Sequence, residues 1–125
     1  MTIEALKIIS DAMAGLNIPY AFGVYAGSQY PYFVGDYTEI EPLNEDGLQE
    51  STFMLTGFTR GTWRELETAK ASIEQYFHPI HGKTHMTADG SAVVILYANA
   101  LIIPKDDAEL KSMQINLKVM EWKVN

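Results

Sequence analysis

The sequence contains no cysteine. This excludes disulfides, thiol nucleophiles and thiolate metal sites, and it is compatible with a reducing cytoplasm. Basic residues are also few and scattered: 9 lysines and arginines stand against 16 aspartates and glutamates, for a formal net charge of -7. Because affinity for phosphate backbones depends on concentrated lysine and arginine, we expect no specific nucleic-acid binding.

Long apolar runs are missing as well. The longest, residues 92–103, is interrupted by Asn99 and is much shorter than the roughly 20 residues of a membrane-spanning helix. The N-terminal segment carries Glu4, Lys7 and Asp11 between its apolar residues, unlike the apolar core of a secretory signal. We therefore expect no membrane partner, and we expect the N-terminal segment to belong to the fold.

The remaining composition is that of an ordinary globular protein. Hydrophobic residues make up 47% and charged residues 20% of a chain of 125 residues, which is enough to enclose one core. No internal repeat, low-complexity tract or interior linker divides the sequence. We therefore expect a single domain over residues 1–125.

Two segments have the apolar spacing of amphipathic helices. Residues 2–15 place apolar side chains three to four positions apart, with Thr2 as the N-cap and Gly15 at the end. Residues 62–65 form a capping-box pattern, which predicts a second helix that ends at His78 before a proline. A second capping-box pattern at residues 106–109 predicts about one helical turn.

Other segments alternate in the manner of β-strands. Two short aromatic strands are predicted within residues 16–37, a third strand at 52–59, and a buried central strand at 91–103. In the last strand the apolar parity changes between Val119 and Met120, which indicates either a β-bulge or an end that packs beyond its own sheet. The prediction is an α+β fold, with a mainly antiparallel sheet packed against two amphipathic helices.

Few side chains suggest chemistry. His78, His81 and His85 are close enough to suggest a metal site, but Pro79 and Gly82 lie among them, so we favour an exposed loop. The acidic pairs, Asp106 with Asp107 and Glu39 with Glu41, are expected in polar connections, where solvated carboxylates are the norm. No nucleophile elbow, phosphate loop or dinucleotide fingerprint is present. We therefore predict no catalytic residue, no metal, no cofactor and no enzymatic activity.

The aromatic run in residues 20–37 has two interpretations, core of the strands or contact with another subunit. Seven aromatic side chains are more than one face of a small sheet needs, so both remain open. The candidates for subunit contact are Tyr25, Tyr30, Tyr32, Phe33 and Tyr37, together with Met120 and Trp122 of the last strand.

Several short sequences carry a resemblance that covers nearly the whole chain. They are Tyr-Pro-Tyr-Phe-Val-Gly-Asp-Tyr at 30–37, Glu-Asp-Gly-Leu-Gln-Glu at 45–50, Thr-Arg-Gly-Thr-Trp at 59–63, Tyr-Ala-Asn-Ala at 97–100, Asp-Ala-Glu-Leu-Lys at 107–111 and Glu-Trp-Lys-Val at 121–124. In their order and in chain length, they resemble small proteins encoded in prophages of Gram-positive bacteria. The layout is similar to that of the tail terminator, or tail-to-head joining, minor tail proteins of long-tailed phages.

The resemblance implies a structural subunit of the virion that is assembled in the cytoplasm of a bacterial host. It implies a homo-oligomer, a hexameric ring that caps the tail tube and meets tube and head-connector proteins. An acidic segment suits the lumen or surface of such a ring, because like charge suppresses adhesion of DNA. The candidates for that surface are Glu39, Glu41, Glu45, Asp46 and Glu50. The alternative is a non-enzymatic α+β domain that binds a small ligand or a peptide at the aromatic patch.

Overall fold

The computed structural model describes residues 1–40 and 47–123. The described residues form two helices and six strands. The helices are α1 (Ile3–Gly15) and α2 (Trp63–Phe77), and the strands are β1 (Tyr20–Phe22), β2 (Tyr32–Glu39), β3 (Leu48–Thr59), β4 (Lys83–Met86), β5 (Ala92–Ile103) and β6 (Lys111–Trp122). The α+β class and the mainly antiparallel sheet are therefore confirmed.

The six strands lie in one sheet in the order β1-β2-β3-β6-β5-β4. β1 pairs with β2 in parallel, and every other neighbouring pair is antiparallel. The long strands β3 and β6 pair over their whole length, from Leu48 opposite Trp122 to Thr59 opposite Lys111. This central pair fixes which residues of the other strands share a face, because side chains alternate strictly along each strand.

Both predicted helices begin at their predicted caps. The Thr2 hydroxyl accepts from the amide of Ala5 at 3.2 Å, and it also donates to the buried Glu121 carboxylate of β6. In α2 the Glu65 carboxylate accepts from the Thr62 amide at 3.4 Å and from the Thr59 hydroxyl at 2.7 Å. Each helix start is therefore joined to the end of a strand by a carboxylate.

Buried apolar residues from both helices and from β2, β3, β5 and β6 form one hydrophobic cluster. On β3 every second residue is buried, and the alternate residues are partly exposed. Phe53 and Leu55 are fully buried at the middle of this strand. The sheet therefore has a core face, defined as the face that carries these side chains, and an opposite face.

Two glycines allow aromatic rings to lie flat against the sheet. A β-carbon on Gly35 would lie 2.5 Å from the Phe53 ring, and one on Gly57 would lie 2.5 Å from the Phe33 ring. These positions are neighbours on the β2–β3 pair, in which Gly35 faces Leu55 and Phe33 faces Gly57. The glycines make room for two of the largest core side chains.

Three predicted details differ from the structure. Residues 91–103 do form a strand, but only its first half is buried, because the short β4 covers only Ala92–Ile95. Residues 106–109 form no helix: the Leu110 amide donates to the Asp107 carbonyl at 3.1 Å and closes a turn. The register shift lies in β5, between Tyr97 and Asn99, and β6 passes through Val119 and Met120 without a bulge.

No helix within residues 1–40 and 47–123 has the length and apolar character needed to cross a bilayer.

The Tyr20 hydroxyl gives a test of the packing at β1. Burial raises the pKa of Tyr20 to about 12. Tyrosine in the unfolded chain ionises near pH 10, so the contribution of this group to stability is complete below about pH 10 and is lost as the pH rises through about 12. In urea denaturation between pH 9 and 11.5, Tyr20→Phe should lose stability less steeply than the wild type. A pH dependence of Tyr20→Phe as steep as that of the wild type would contradict the buried position of this hydroxyl.

Candidate subunit-contact surface

The face of the sheet opposite the core face is the main candidate for a contact surface, and we call it the open face. Its residues are partly exposed along most of its length, although many of them are apolar. The apolar and aromatic members are Tyr32, Val34, Met54, Phe58, Val94, Leu96, Leu101, Met120 and Trp122. Exposed apolar area of this extent on a small protein is typical of interaction sites.

An aromatic cluster occupies one end of the open face. The Tyr25 ring stacks on Tyr32 with 4.4 Å between centroids, Phe58 stacks on its neighbour Tyr32 at 5.3 Å, and Tyr30 lies 5.4 Å from Tyr32. Lys105 places its ammonium group 5.1 Å from the centre of the Phe58 ring. A groove of about 390 Å³ runs beside this cluster. The cluster is a preformed surface for another apolar or aromatic group.

An ion pair lies next to this aromatic cluster. Arg60 donates to the Asp107 carboxylate at 2.9 Å, and both side chains are about half exposed. The pKa of Asp107 is lowered, mainly by the hydrogen bond from the Glu109 amide and next by the hydrogen bond from Arg60. The turn at residues 106–109 is therefore held beside the cluster by the hydrogen bonds that Asp107 accepts from the Glu109 amide and from Arg60, which directly follows β3.

Met120 and Trp122 lie at the other end of the open face. Met120 is flanked by Glu50 on β3 and by Val94 on β5, and Trp122 is flanked by Leu48 and Ala92. Trp122 remains 37% exposed. The parity change at this end of β6 therefore places large apolar side chains on both faces of the strand.

Two of the aromatic candidates lie on the core face instead. Phe33 is fully buried in the hydrophobic cluster and offers no surface to a neighbour. Tyr37 is partly buried against the same cluster, with its ring 6.1 Å from that of Phe22. The core interpretation of the aromatic run thus applies to Phe33, whereas Tyr25, Tyr30 and Tyr32 lie together on the open face.

The acidic candidates are placed only in part. Glu39 is exposed and accepts from the Met1 ammonium group at 2.8 Å, and this hydrogen bond is the main reason why the pKa of Glu39 is lowered. Glu50 is partly exposed on the open face opposite Met120. Glu41, Glu45 and Asp46 lie outside the described residues, so their part of the prediction has no structural counterpart.

The three histidines follow the end of α2. His78 caps this helix with φ 57°, and its Nδ1 accepts from the amides of Ile80 and His81, both at 3.1 Å. His85 lies on β4 opposite Val93. Within the described part of the chain, no three histidine or carboxylate side chains are arranged so that they could hold a metal ion.

The sequence interpretation missed two parts of this surface. Phe58 completes the aromatic cluster, and its alternation with Met54 and Thr56 was the available signal. Leu101 and Ile102 are 48% and 57% exposed, although they belong to the longest apolar run of the chain. Their exposure follows from the shortness of β4, for which the sequence holds no clear signal.

No protein-family model matches this chain, and no curated protein matches its sequence.

Proposed function

We propose that this protein is a structural subunit of a phage tail, a terminator or head-tail joining protein that forms a hexameric ring on the end of the tail tube. In this proposal the two amphipathic helices pack on the core face, and the open face meets neighbouring subunits or the tube. The proposed place of action is the virion, and assembly occurs in the cytoplasm of the bacterial host. The assignment to phage tails comes from the resemblance in the sequence.

The observation that supports a contact role is the open face itself. It carries the cluster around Tyr32 at one end and Met120 with Trp122 at the other, all partly exposed. Tyrosine, tryptophan and methionine are enriched in the centres of protein interfaces, because they bury a large area at a small cost in side-chain entropy. A surface of this composition is suited to another protein.

The negative charge of the chain supports a position next to DNA that the protein does not bind. A net charge of -7 repels the phosphate backbone, so a ring of such subunits would let DNA pass without adhesion. The acidic candidates Glu39 and Glu50 lie at the same end of the β2–β3 pair. We propose the carboxylates at this end of the sheet as part of the lumen or the ring surface.

Deletion of the gene in the phage or prophage that carries it tests the function. Electron microscopy of the lysate should show tails of uncontrolled length, or filled heads and tails that fail to join. Complementation from a plasmid is the control and should restore joined particles. Normal virions from the deletion strain, or a gene located among metabolic genes, would contradict the proposal.

The groove beside the aromatic cluster supports a second candidate function, the binding of a small ligand or peptide. It is lined by Tyr25, Tyr32 and Phe58, and such grooves bind extended proline-rich segments in other proteins. The two candidates differ in solution: a ligand-binding domain stays monomeric and shows chemical-shift changes confined to this groove when the ligand is added. A tail subunit self-associates through surfaces that extend beyond it.

A further inference from the structure

Two strands of the sheet have edges that are only partly paired. β1 covers Phe33–Gly35 of β2, so residues 36–39 of β2 pair with β3 alone within the described part of the chain. β4 covers Ala92–Ile95 of β5, and the Tyr97 amide donates to the His78 carbonyl at 3.4 Å. Beyond that point, Asn99–Ile103 of β5 pair with β6 and with no other strand that the structure describes. We call residues 36–39 the β2 edge and residues 98–103 the β5 edge.

The backbone groups of the β2 edge can be assigned from the hydrogen bonds of β1. The Phe33 amide donates to the Pro19 carbonyl at 2.9 Å, and the Gly35 carbonyl accepts from the Gly23 amide at 2.8 Å. These odd-numbered residues of β2 therefore direct their peptide groups away from β3. Because the direction alternates along a strand, Tyr37 and Glu39 also direct their N–H and C=O groups outward.

The same reasoning applies to the β5 edge. The outward amide of Tyr97 means that Leu117, its partner on β6, directs its peptide groups away from β5. Alternation along β6 gives Ile115 and Met113 the same direction, so their β5 partners direct their N–H and C=O groups outward. Those partners are Ala100 and Ile102.

The two edges match in the direction of their side chains. Tyr37 and Ala100 both pack against the hydrophobic cluster, so the outward-directed residues of both edges carry their side chains on the core face. If the edges pair, the core faces of two copies stay on the same side of a continuous sheet. An antiparallel register that uses all four outward-directed residues places Tyr37 opposite Ile102 and Glu39 opposite Ala100. Thr38 then lies opposite Leu101 on the open face.

Charge supports pairing of unlike edges. β1, β2 and β3 contain no lysine or arginine, and they carry Asp36, Glu39 and Glu50. β4 and β5 contain no aspartate or glutamate, and Lys105 just after β5 is followed by Asp106 and Asp107. Pairing of the acidic β2 edge with the uncharged β5 edge therefore avoids the repulsion that two acidic edges would meet.

The β5 edge also carries no charge that would keep it apart from another strand. No charged residue occurs from Gly90 to Pro104, and Leu101 and Ile102 are about half exposed. Exposed edge strands of monomeric proteins usually carry charges, prolines or bulges that prevent pairing with another chain. The bulge of β5 lies between Tyr97 and Asn99, at the start of this edge, and residues 99–103 pair with β6 in regular register.

From these observations we infer that the β5 edge of one copy pairs antiparallel with the β2 edge of the next copy, with Thr38 opposite Leu101. The inference rests on the self-assembly in the proposed function and adds a contact at the edges of the sheet to that of the open face. Such a head-to-tail contact is heterologous, which is the type of interface that generates rings. Pairing of two β5 edges around a two-fold axis would form a closed dimer and would leave the β2 edge of each copy without a partner copy.

Disulfide trapping tests this register directly, because the chain has no cysteine of its own. Within one copy, β2 and β5 are separated by β3 and β6, and Thr38 is level with Leu96, so Thr38 and Leu101 lie more than three strand spacings, or roughly 14 Å, apart. This is too far for a disulfide, which needs α-carbons within about 7 Å. In the proposed pairing they form a non-hydrogen-bonded pair with α-carbons about 4.5 Å apart.

The experiment mixes Thr38→Cys with Leu101→Cys, oxidises the mixture with diamide and follows the products by non-reducing electrophoresis. The mixture should give a disulfide-linked dimer, and the double variant should give a ladder of dimers, trimers and larger species. Each single variant alone should give little dimer. Thr38→Cys mixed with Thr84→Cys is the matched control, since Thr84 is an exposed open-face residue of β4 outside the register, and it should remain monomeric.

Dimers from Leu101→Cys alone, as abundant as those from the mixture, would show two-fold pairing of β5 edges and overturn the inference. Absence of any mixed product would overturn it as well. If sedimentation of the wild type still shows a ring in that case, the edge contact is wrong, but the proposal of a ring is retained. A mixed product combined with normal virions from the gene deletion would support the edge contact and reject the phage function.

A substitution at the β5 edge gives an independent readout. Ile102→Lys places a charge opposite Tyr37 in the contact and should weaken self-association roughly tenfold or more in sedimentation. Ile3→Lys, at an α1 residue 81% exposed, is the control and should associate like the wild type. Equal association of both variants would contradict the proposed contact. Thermal denaturation of each variant separates weaker association from loss of the fold.

Discussion

The Phe53→Ala variant is expected to lose roughly 3–5 kcal/mol of unfolding free energy, the usual cost of emptying a large aromatic site in a core. Phe53 is fully buried in the middle of β3, opposite Tyr37 on β2 and Leu117 on β6. Its ring lies against the backbone at Gly35, which leaves little space for the cavity to collapse. Urea denaturation followed by circular dichroism measures the change.

Met54→Ala is the matched control for this prediction. Met54 is the next residue of the same strand, and its side chain lies partly exposed on the open face. Its replacement should cost clearly less than half as much, because the side chain is not enclosed in the isolated subunit. A loss at Met54 equal to that at Phe53 would mean that the open face is covered within the monomer, which would also remove the basis of the proposed contact.

The second large effect is expected on assembly. The Met120→Arg variant should weaken self-association and fail to restore joined virions when it complements the gene deletion. In the isolated subunit the new guanidinium lies directly opposite Glu50, so the cross-strand pair should keep the change in monomer stability within about 1 kcal/mol. In an assembled contact, the same charge has to be desolvated, which is much more costly than burying methionine.

Sedimentation velocity and plaque complementation measure this effect, and urea denaturation confirms that the monomer remains folded. Ile3→Arg introduces the same charge at an exposed α1 residue and should behave like the wild type in all three measurements. Normal assembly of Met120→Arg would exclude this end of the open face as a contact. The β5 edge would then be tested separately through the cysteine variants.

The local signals of the sequence were reliable wherever the structure depends on neighbouring residues. Thr2 and the pattern at 62–65 fixed the starts of α1 and α2, because caps act within three residues along the chain. The pattern at 106–109 shows the limit of this signal. It matches a helix start, but its backbone closes a turn at Leu110, and β6 begins at the next residue.

Alternation predicted the long strands but not their surroundings. Residues 91–103 formed the expected strand, yet only Ala92–Ile95 received a partner on the outer side. The same apolar run is therefore buried in its first half and exposed in its second half. Similarly, the aromatic run left core and contact interpretations open, and the pairing of β2 with β3 directed Phe33 into the core and Tyr32 to the open face.

The sequence by itself determined the positions of both helices and the alternation of the long strands, because each depends on residues close together in the chain, and it determined the excess of acidic residues through composition alone. Only the tertiary structure decided the strand order, the parallel pairing of β1 with β2 and where, among the described residues, β1 and β4 stop covering β2 and β5. These depend on hydrogen bonds between distant segments, such as Leu48 with Trp122, and on where a neighbouring strand stops. A single residue carries no information about how long its partner strand will be.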